Sequence, residues 1–387
     1  MIALEDIADF TKEEFARRLQ KVWGLMADND LHALIVYDDD RMTGGGSVRY
    51  LSNFFSTHAL TPSALVIVPN QEPTLCIKPG FQGCQFSWAQ MCSWVQKVKG
   101  TPSGPWDADW VKDILEALSE DGFSGGKVGI DGMKIMPFRI FEKLRNQLTG
   151  GTLEDVTGLV EKVRQTKSPS EVELLRRAAI LSEAGIKVFS DAAKPGVLQA
   201  EAIAEAELAV RKLGAAEAMM YMGTGLPWIW GSRRGNLRFD SGAMVAAEFN
   251  ARYAGYHGQI CRTLILGDPT AKQKIIHETV VTAYEQMLSL TRPGVTAEKL
   301  FDAGMAVIKK AGFEYSGVRF GHALGLSLAE GFSIAPGNKT LVDGGTCLVL
   351  HPNIVLPASG DSAIHGDPVM LGKNGAEVLA SGKQVGI

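Results

Sequence analysis

The sequence predicts two domains of mixed α/β architecture, the second built from a duplicated helix-plus-strand unit. Three observations carry this. The chain has 387 residues, too many for one ordinary core. In its first part, short apolar strands alternate with amphipathic helical patterns. In its second part, Lys194-Pro195-Gly196-Val197 opens a helix that closes at Lys212-Leu213-Gly214, and Arg292-Pro293-Gly294-Val295 opens another of the same length that closes at Lys310-Ala311-Gly312. Each is followed at the same offset by a glycine, Gly223 and Gly321. Two repeats are too few for a solenoid. The reading is one domain with internal pseudo-twofold symmetry and a natural place for a site between its halves.

The elements follow in order. Apolar periodicity predicts a helix over Thr11–Met26, strands over His32–Tyr37 and Ala64–Val68, a strand over Lys127–Ile130 and a helix over Pro137–Leu148. Gly44-Gly45-Gly46 is a flexible connection; without a following GK[ST] it is no phosphate loop. The breaker pair Gly150-Gly151 opens the boundary region, giving domains 1–160 and 161–387, with a short helix over Leu153–Val163. Ser168 can cap the next helix, Pro169 suits its first position and Glu171 completes a capping box, so a long helix should run to about Ala193. Ala271–Leu290 reads as a further helix, and Met244–Glu248, Tyr256–Thr263 and Leu348–His351 as strands.

Hydrophobic residues at 45% and charged residues at 21% exclude a disordered, collagen-like or disulfide-stapled chain. A net charge of -4 offers no basic footprint for nucleic acid, and no apolar run reaches membrane-spanning length. Five cysteines with no CxxC pair predict reduced, buried thiols, and the acidic N-terminus lacks a leader pattern; both point to the cytoplasm.

Five of the seven histidines lie after residue 250. His277 falls in a helical stretch and reads as structural. His322 sits between glycines, His351 ends an apolar strand, and His365 stands near an acid, Asp367. Glu248 ends another apolar strand, where an unpaired carboxylate would be costly. On the next strand, alternation puts His257, Gln259 and Cys261 on one face. Arg262-Thr263 reads equally as an edge ion pair or as support for a site.

These residues resemble the creatinase, prolidase and aminopeptidase P superfamily over nearly the whole chain. Val48-Arg49-Tyr50-Leu51-Ser52-Asn53-Phe54 resembles the creatinase-type N-terminal domain, and Lys167 to Glu171 the motif that opens the catalytic domain. Gly255-Tyr256, Arg262-Thr263-Leu264, Gly321-His322-Ala323-Leu324-Gly325-Leu326 and Glu330 resemble that domain's signatures. The resemblance implies a creatinase-like N-terminal domain, a C-terminal pita-bread fold and a homodimer. It also implies, for the peptidases, two metal ions held by two aspartates, one histidine and two glutamates. Four of those five positions differ here: Glu248, Gln259, His351 and His365 replace acids, and only His322 is kept. Ala329 replaces the histidine before Glu330, and Gly231 lies near the place of the histidine that creatinase uses for proton transfer.

A dinuclear metal site is therefore disfavoured, since Gln259 is neutral and two carboxylates have become imidazoles. The expected function is hydrolysis of a non-peptide C–N bond in a small amidine, cyclic amidine or amide, similar to creatinase or ectoine hydrolase. His322, His351 and His365 would exchange protons, with Glu248 or Glu330 orienting them. Trp228, Trp230, Arg233 and Arg234 form a loop that could close on a small charged substrate, with Gln259 and His257 lining the site. The cofactor is then none, or one divalent transition metal on His322, His351, His365 and Glu248. The alternatives are a metal-dependent lyase on a small zwitterion, an Xaa-Pro peptidase with atypical ligands, and a non-catalytic binding protein.

Overall fold

The computed structural model describes residues 8–41, 43, 45–56, 62–78, 83–101, 110–232, 235–373 and 375–380. The Gly44 position, Arg233 and Arg234 lie outside the described residues. The chain divides into two compact units, one ending at Arg164 and the other beginning at Gln165.

The first unit is a six-stranded mixed sheet in the order Lys97–Lys99, Thr74–Ile77, Ser63–Ile67, Ala33–Asp38, Gly126–Asp131, Gly151–Asp155. Its central strand Ala33–Asp38 is buried throughout, which is why it reads as one apolar run rather than an alternation. The first helix, Lys12–Asp28, starts at Thr11, whose side chain accepts from the Glu14 N–H at 3.3 Å. The helix expected over Leu153–Val163 is corrected. Gly151–Asp155 is a strand parallel to Gly126–Asp131, and only Leu159–Arg164 is helical. Pairing with a distant strand satisfies the backbone there. The helix starts later because the Asp131 carboxylate accepts from Gly158 and Val160 N–H at 2.8 and 2.7 Å.

In the second unit the capping box forms as the sequence requires, with Ser168 and Glu171 closing the start of helix Pro169–Ala192. Glu171 also accepts from the Tyr256 hydroxyl at 3.0 Å. The duplication is plain in the helices. Gln199–Lys212 and Ala297–Lys310 are each 14 residues long. Strand Glu217–Thr224 follows the first and strand Gly321–Ala323 the second. The first half carries a sheet in the order Tyr256–Ile265, Met244–Tyr253, Glu217–Thr224, Ile229–Gly231. The second half carries Glu330–Ser333, Gly321–Ala323, Cys347–Leu350, Asp367–Gly372, Gly375–Val378. Each half has its own apolar core, one around Phe189, Met220 and Phe249, the other around Met287, Phe301 and Phe320.

The halves are laced together along one line. Cys261 and Gly366 exchange backbone hydrogen bonds at 2.9 and 3.0 Å. Thr263 Oγ1 accepts from Ile364 N–H and donates to its carbonyl, both at 2.9 Å. Arg262 donates to the Gly366 carbonyl at 2.9 Å and to Asp367 at 2.7 Å, a buried ion pair rather than one at a sheet edge.

The helix Pro169–Ala192 lies directly on the hairpin backbone. A Cβ at Gly258 would stand 2.2 Å from the Ala178 carbonyl oxygen, a contact that no side-chain rotation relieves. Gly258→Ala is therefore expected to cost about 3 kcal/mol, read as a lower urea midpoint at unchanged slope.

Candidate functional site

Gly258 also fixes which way its neighbours point. Its open side faces the helix, so the side chains of His257 and Gln259 face the opposite way. Gly185 of the same helix is filled by Phe249, so Glu248 and Asn250 likewise face away from the helix. Strand register then pairs Gln259 with Asn250, and Cys261 with Glu248. Side chains paired in this way share a face.

Glu248 is half-buried and Asn250 Nδ2 donates to its Oε1 at 3.1 Å. Burial raises the Glu248 carboxyl above its ordinary pKa, while Asn250, Arg319 and Gln259 hold it partly back. Gln259 is fully buried, and its Oε1 has no hydrogen-bond partner; nor does Asn250 Oδ1. Cys261 lies beside them, its thiol pushed far up by burial and by Glu248, so it is no nucleophile. His257 is buried as well, with its main-chain N–H donating to Gly325 at 2.9 Å.

The second half contributes the imidazoles. His322 and His351 are both buried, with ring centroids 5.2 Å apart at 65°. His322 Nδ1 lies 3.1 Å from the Ala323 carbonyl, while neither ring nitrogen of His351 has a partner. Gly321 brings this strand close: a Cβ there would meet the Val349 carbonyl at 2.3 Å. Arg319, which sequence reasoning missed, joins the group. Its Nη1 donates at 3.0 Å to Ser333 Oγ, and Ser333 is the strand partner of His322. The main chain at Phe320 accepts from the His351 N–H at 2.8 Å, which sets Arg319 beside both imidazoles. Burial and Arg319 push His351 down to about 3, and burial, Arg319 and His351 push His322 well below its usual value. Both imidazoles are thus held below the ordinary histidine range, toward the neutral form. Glu248 is the group in this cluster that moves toward neutrality.

His365 does not join them. Ile364 packs on Ala246 and Cys261, so the next side chain turns to the other face. There the His365 ring lies edge-on to Tyr284 at 4.9 Å, with Nε2 3.9 Å from Asp367. Burial and Arg262 lower it to about 4 against the pull of Asp367. Glu330 is also otherwise engaged: Lys167 Nζ donates to it at 2.8 Å, both side chains being 1% exposed, and the Ser327 N–H donates at 3.2 Å. Of the residues expected to be catalytic, His365 therefore meets Tyr284 and Asp367, and Glu330 meets Lys167 and Ser327.

Trp230 lies on the edge strand Ile229–Gly231, one strand beyond the neighbour of Glu248, and Trp228 lies in the turn that leads to it. Trp228 Nε1 donates to Ser362 Oγ at 3.0 Å. Trp230 and Tyr221 are parallel within 6° at 6.4 Å, and Tyr221 is the strand partner of Glu248. Alternation from Glu248 could have identified Asn250 in the sequence. Nothing local marks Tyr221 or Arg319, which enter through strand register and a long-range backbone contact.

The two metal ions implied for the peptidases find no matching donor set. One carboxylate remains, Gln259 is a neutral amide, and His365 faces elsewhere. Among the described residues, no group of three or more His, Cys, Asp or Glu side chains is placed to hold a metal ion. The four-residue single-metal set of His322, His351, His365 and Glu248 is likewise not assembled. Where peptidases would concentrate positive charge, the only formal cation described beside Glu248 and the imidazoles is the Arg319 guanidinium.

Comparison with known proteins places this chain in a family. The profile of metallopeptidase family M24 matches residues 173–376, and that of the creatinase/prolidase N-terminal domain matches residues 18–166. The chain is 27% identical over 342 residues to the putative dipeptidase YkvY of Bacillus subtilis, covering 86% of this chain and 90% of that protein. It is 25% identical over 269 residues to the Xaa-Pro dipeptidase of Pyrococcus horikoshii, covering 67% of this chain and 76% of that one. Among solved structures, the Xaa-Pro dipeptidase of Bacillus anthracis superposes with a TM-score of 0.81 at 21% identity, covering 95% of this chain and 98% of that one. With its duplicated pita-bread unit preceded by a creatinase/prolidase N-terminal domain, the chain belongs to metallopeptidase family M24.

Proposed function

We propose that this chain hydrolyses a C–N bond in a small nitrogenous compound, an amidine, cyclic amidine or amide, without the two-metal chemistry of peptidases. One observation carries the reading. Buried polar atoms without partners, Gln259 Oε1 and Asn250 Oδ1, stand beside a carboxylate whose pKa is raised, and both ring nitrogens of His351, which shares the influence of Arg319 with that carboxylate, are unpartnered as well. Each such atom costs stability in the free protein and is tolerated where a polar ligand completes it.

The chemistry assigned to each residue follows from its state. Glu248, ionised, takes a proton from water as the water oxygen bonds to the substrate carbon. It then gives that proton to the leaving nitrogen as the C–N bond breaks. Arg319 stabilises the negative charge that develops on the attacked carbon's substituent. His322 and His351, neutral, orient the substrate through their ring nitrogens, and Gln259 and Asn250 do so through their amides.

The test is turnover of small amides and amidines by protein treated with chelator, measured as released ammonia or amine. Glu248→Gln is expected to lower kcat by about 10³-fold with the fold intact by circular dichroism. Cleavage of Xaa-Pro dipeptides that appears only on adding manganese or cobalt would sink the reading and favour a peptidase with atypical ligands.

A further inference from the structure

The wall of aromatic rings beside Glu248 has no role in the chemistry above, and its construction is specific. Three rings run outward from the carboxylate. Tyr221 is the cross-strand neighbour of Glu248 and shares its face. Trp230 lies parallel to Tyr221, and Trp228 continues the row at 6.3 Å and 21° from Trp230. The row is anchored at its far end. Trp228 donates to Ser362 Oγ, which in turn donates to the Gly223 carbonyl at 3.2 Å. The indole lies flat on Gly223, where a Cβ would come within 2.5 Å of the ring. The strand thus gives up a side chain to seat this tryptophan. Yet the row is not core: Trp230 is 38% exposed, and Tyr221 and Trp228 are half-buried.

Ring faces carry negative electrostatic potential and attract weakly hydrated organic cations. A carboxylate at the inner end of the row adds a full negative charge. Rings alone would suit any apolar group, and a carboxylate alone any cation; together they select an alkylated ammonium, which is both bulky and positive.

We propose that the Tyr221–Trp230–Trp228 row, ending at Glu248, recognises an alkylated ammonium group, so that the substrate is a small organic cation or a zwitterion. This deepens the hydrolase reading and rests on it for the word substrate. The recognition itself is a binding property, measured without turnover.

The experiment titrates the full chain with tetramethylammonium, choline and glycine betaine, followed by tryptophan fluorescence and calorimetry at matched ionic strength. Dimethylbutanol, the uncharged isostere of choline, is the control. Choline is expected to bind at least about tenfold more tightly than dimethylbutanol, and Trp230→Ala to weaken choline by about tenfold, while Trp230→Phe stays within about threefold of the parent. Equal binding of dimethylbutanol, unchanged choline binding in Trp230→Ala with a native circular dichroism spectrum, or no saturable binding of any of the three ammonium compounds would overturn the proposal. Cation binding without amide turnover leaves this inference standing and removes the hydrolase; turnover of uncharged amides without cation binding does the reverse.

Discussion

Replacing Lys167 with methionine is expected to destabilise the second unit by about 3–5 kcal/mol, a drop of roughly 10 °C in its melting temperature. The Lys167–Glu330 pair is sealed from water, with each side chain 1% exposed. Removing one partner leaves a buried, uncompensated carboxylate, whose cost far exceeds that of losing a surface pair. The same carboxylate fits beneath Gly325, where a Cβ would come within 2.5 Å of it. Gly325 belongs to the segment that delivers His322, so the change should also disturb the site. Lys167→Met combined with Glu330→Leu is expected to recover most of the loss, because it removes both charges. Urea unfolding followed by tryptophan fluorescence reads all three proteins. A loss below about 1 kcal/mol in the single variant would show that the pair reaches water after all.

The second large effect is a loss of stability in mild acid. His351 and His365 are lowered to about 3 and about 4, against about 6.5 in an unfolded chain. As pH falls through 6.5, the unfolded chain takes up protons that the folded protein refuses. Stability is therefore complete above about pH 6.5 and declines as pH falls toward the folded values, by an amount of order 3 kcal/mol per histidine near pH 4. Glu248 acts in the opposite sense, since its raised carboxyl binds a proton more readily when folded, and it offsets part of the decline. Urea midpoints measured from about pH 7.5 to about pH 4.5 test this, and His365→Phe should flatten the slope by about one proton. A midpoint that holds steady across that range would mean that these imidazoles are wetter than their packing indicates.

Much of the frame is legible in the sequence because its signals are local. The Ser168-Pro169-Ser170-Glu171 run dictates a helix start by hydrogen-bond geometry alone, and it forms as read. The matched helices at Gln199–Lys212 and Ala297–Lys310 are visible from their flanking glycines. Gly223 and Gly321 mark the strands that follow, each for a close approach, one by an indole and one by a carbonyl. Local reading fails where a distant partner decides. Leu153 reads as helical until the parallel strand at Gly126–Asp131 claims it. His365 reads as a third site imidazole until the Cys261–Gly366 bridge fixes which way the chain faces. Arg319 carries no pattern at all, and its place depends on the main chain at Phe320 meeting His351.

The lacing of the two halves along Cys261, Arg262 and Thr263 has a consequence for how such a site can change. A duplicated domain stitched in this way is in effect a symmetric dimer fused into one polypeptide. A true dimer must alter both copies of a residue at once, and so tends to keep matching sites. Fusion lifts that constraint. One half here carries an acid and amides, Glu248, Asn250 and Gln259, while the other supplies imidazoles and a guanidinium, His322, His351 and Arg319. The helices preserve the symmetry because each must still fill its own core. The strands differ where the helices match: a carboxylate stands in one half and a guanidinium in the other, a difference that a single fused chain permits and a symmetric dimer does not.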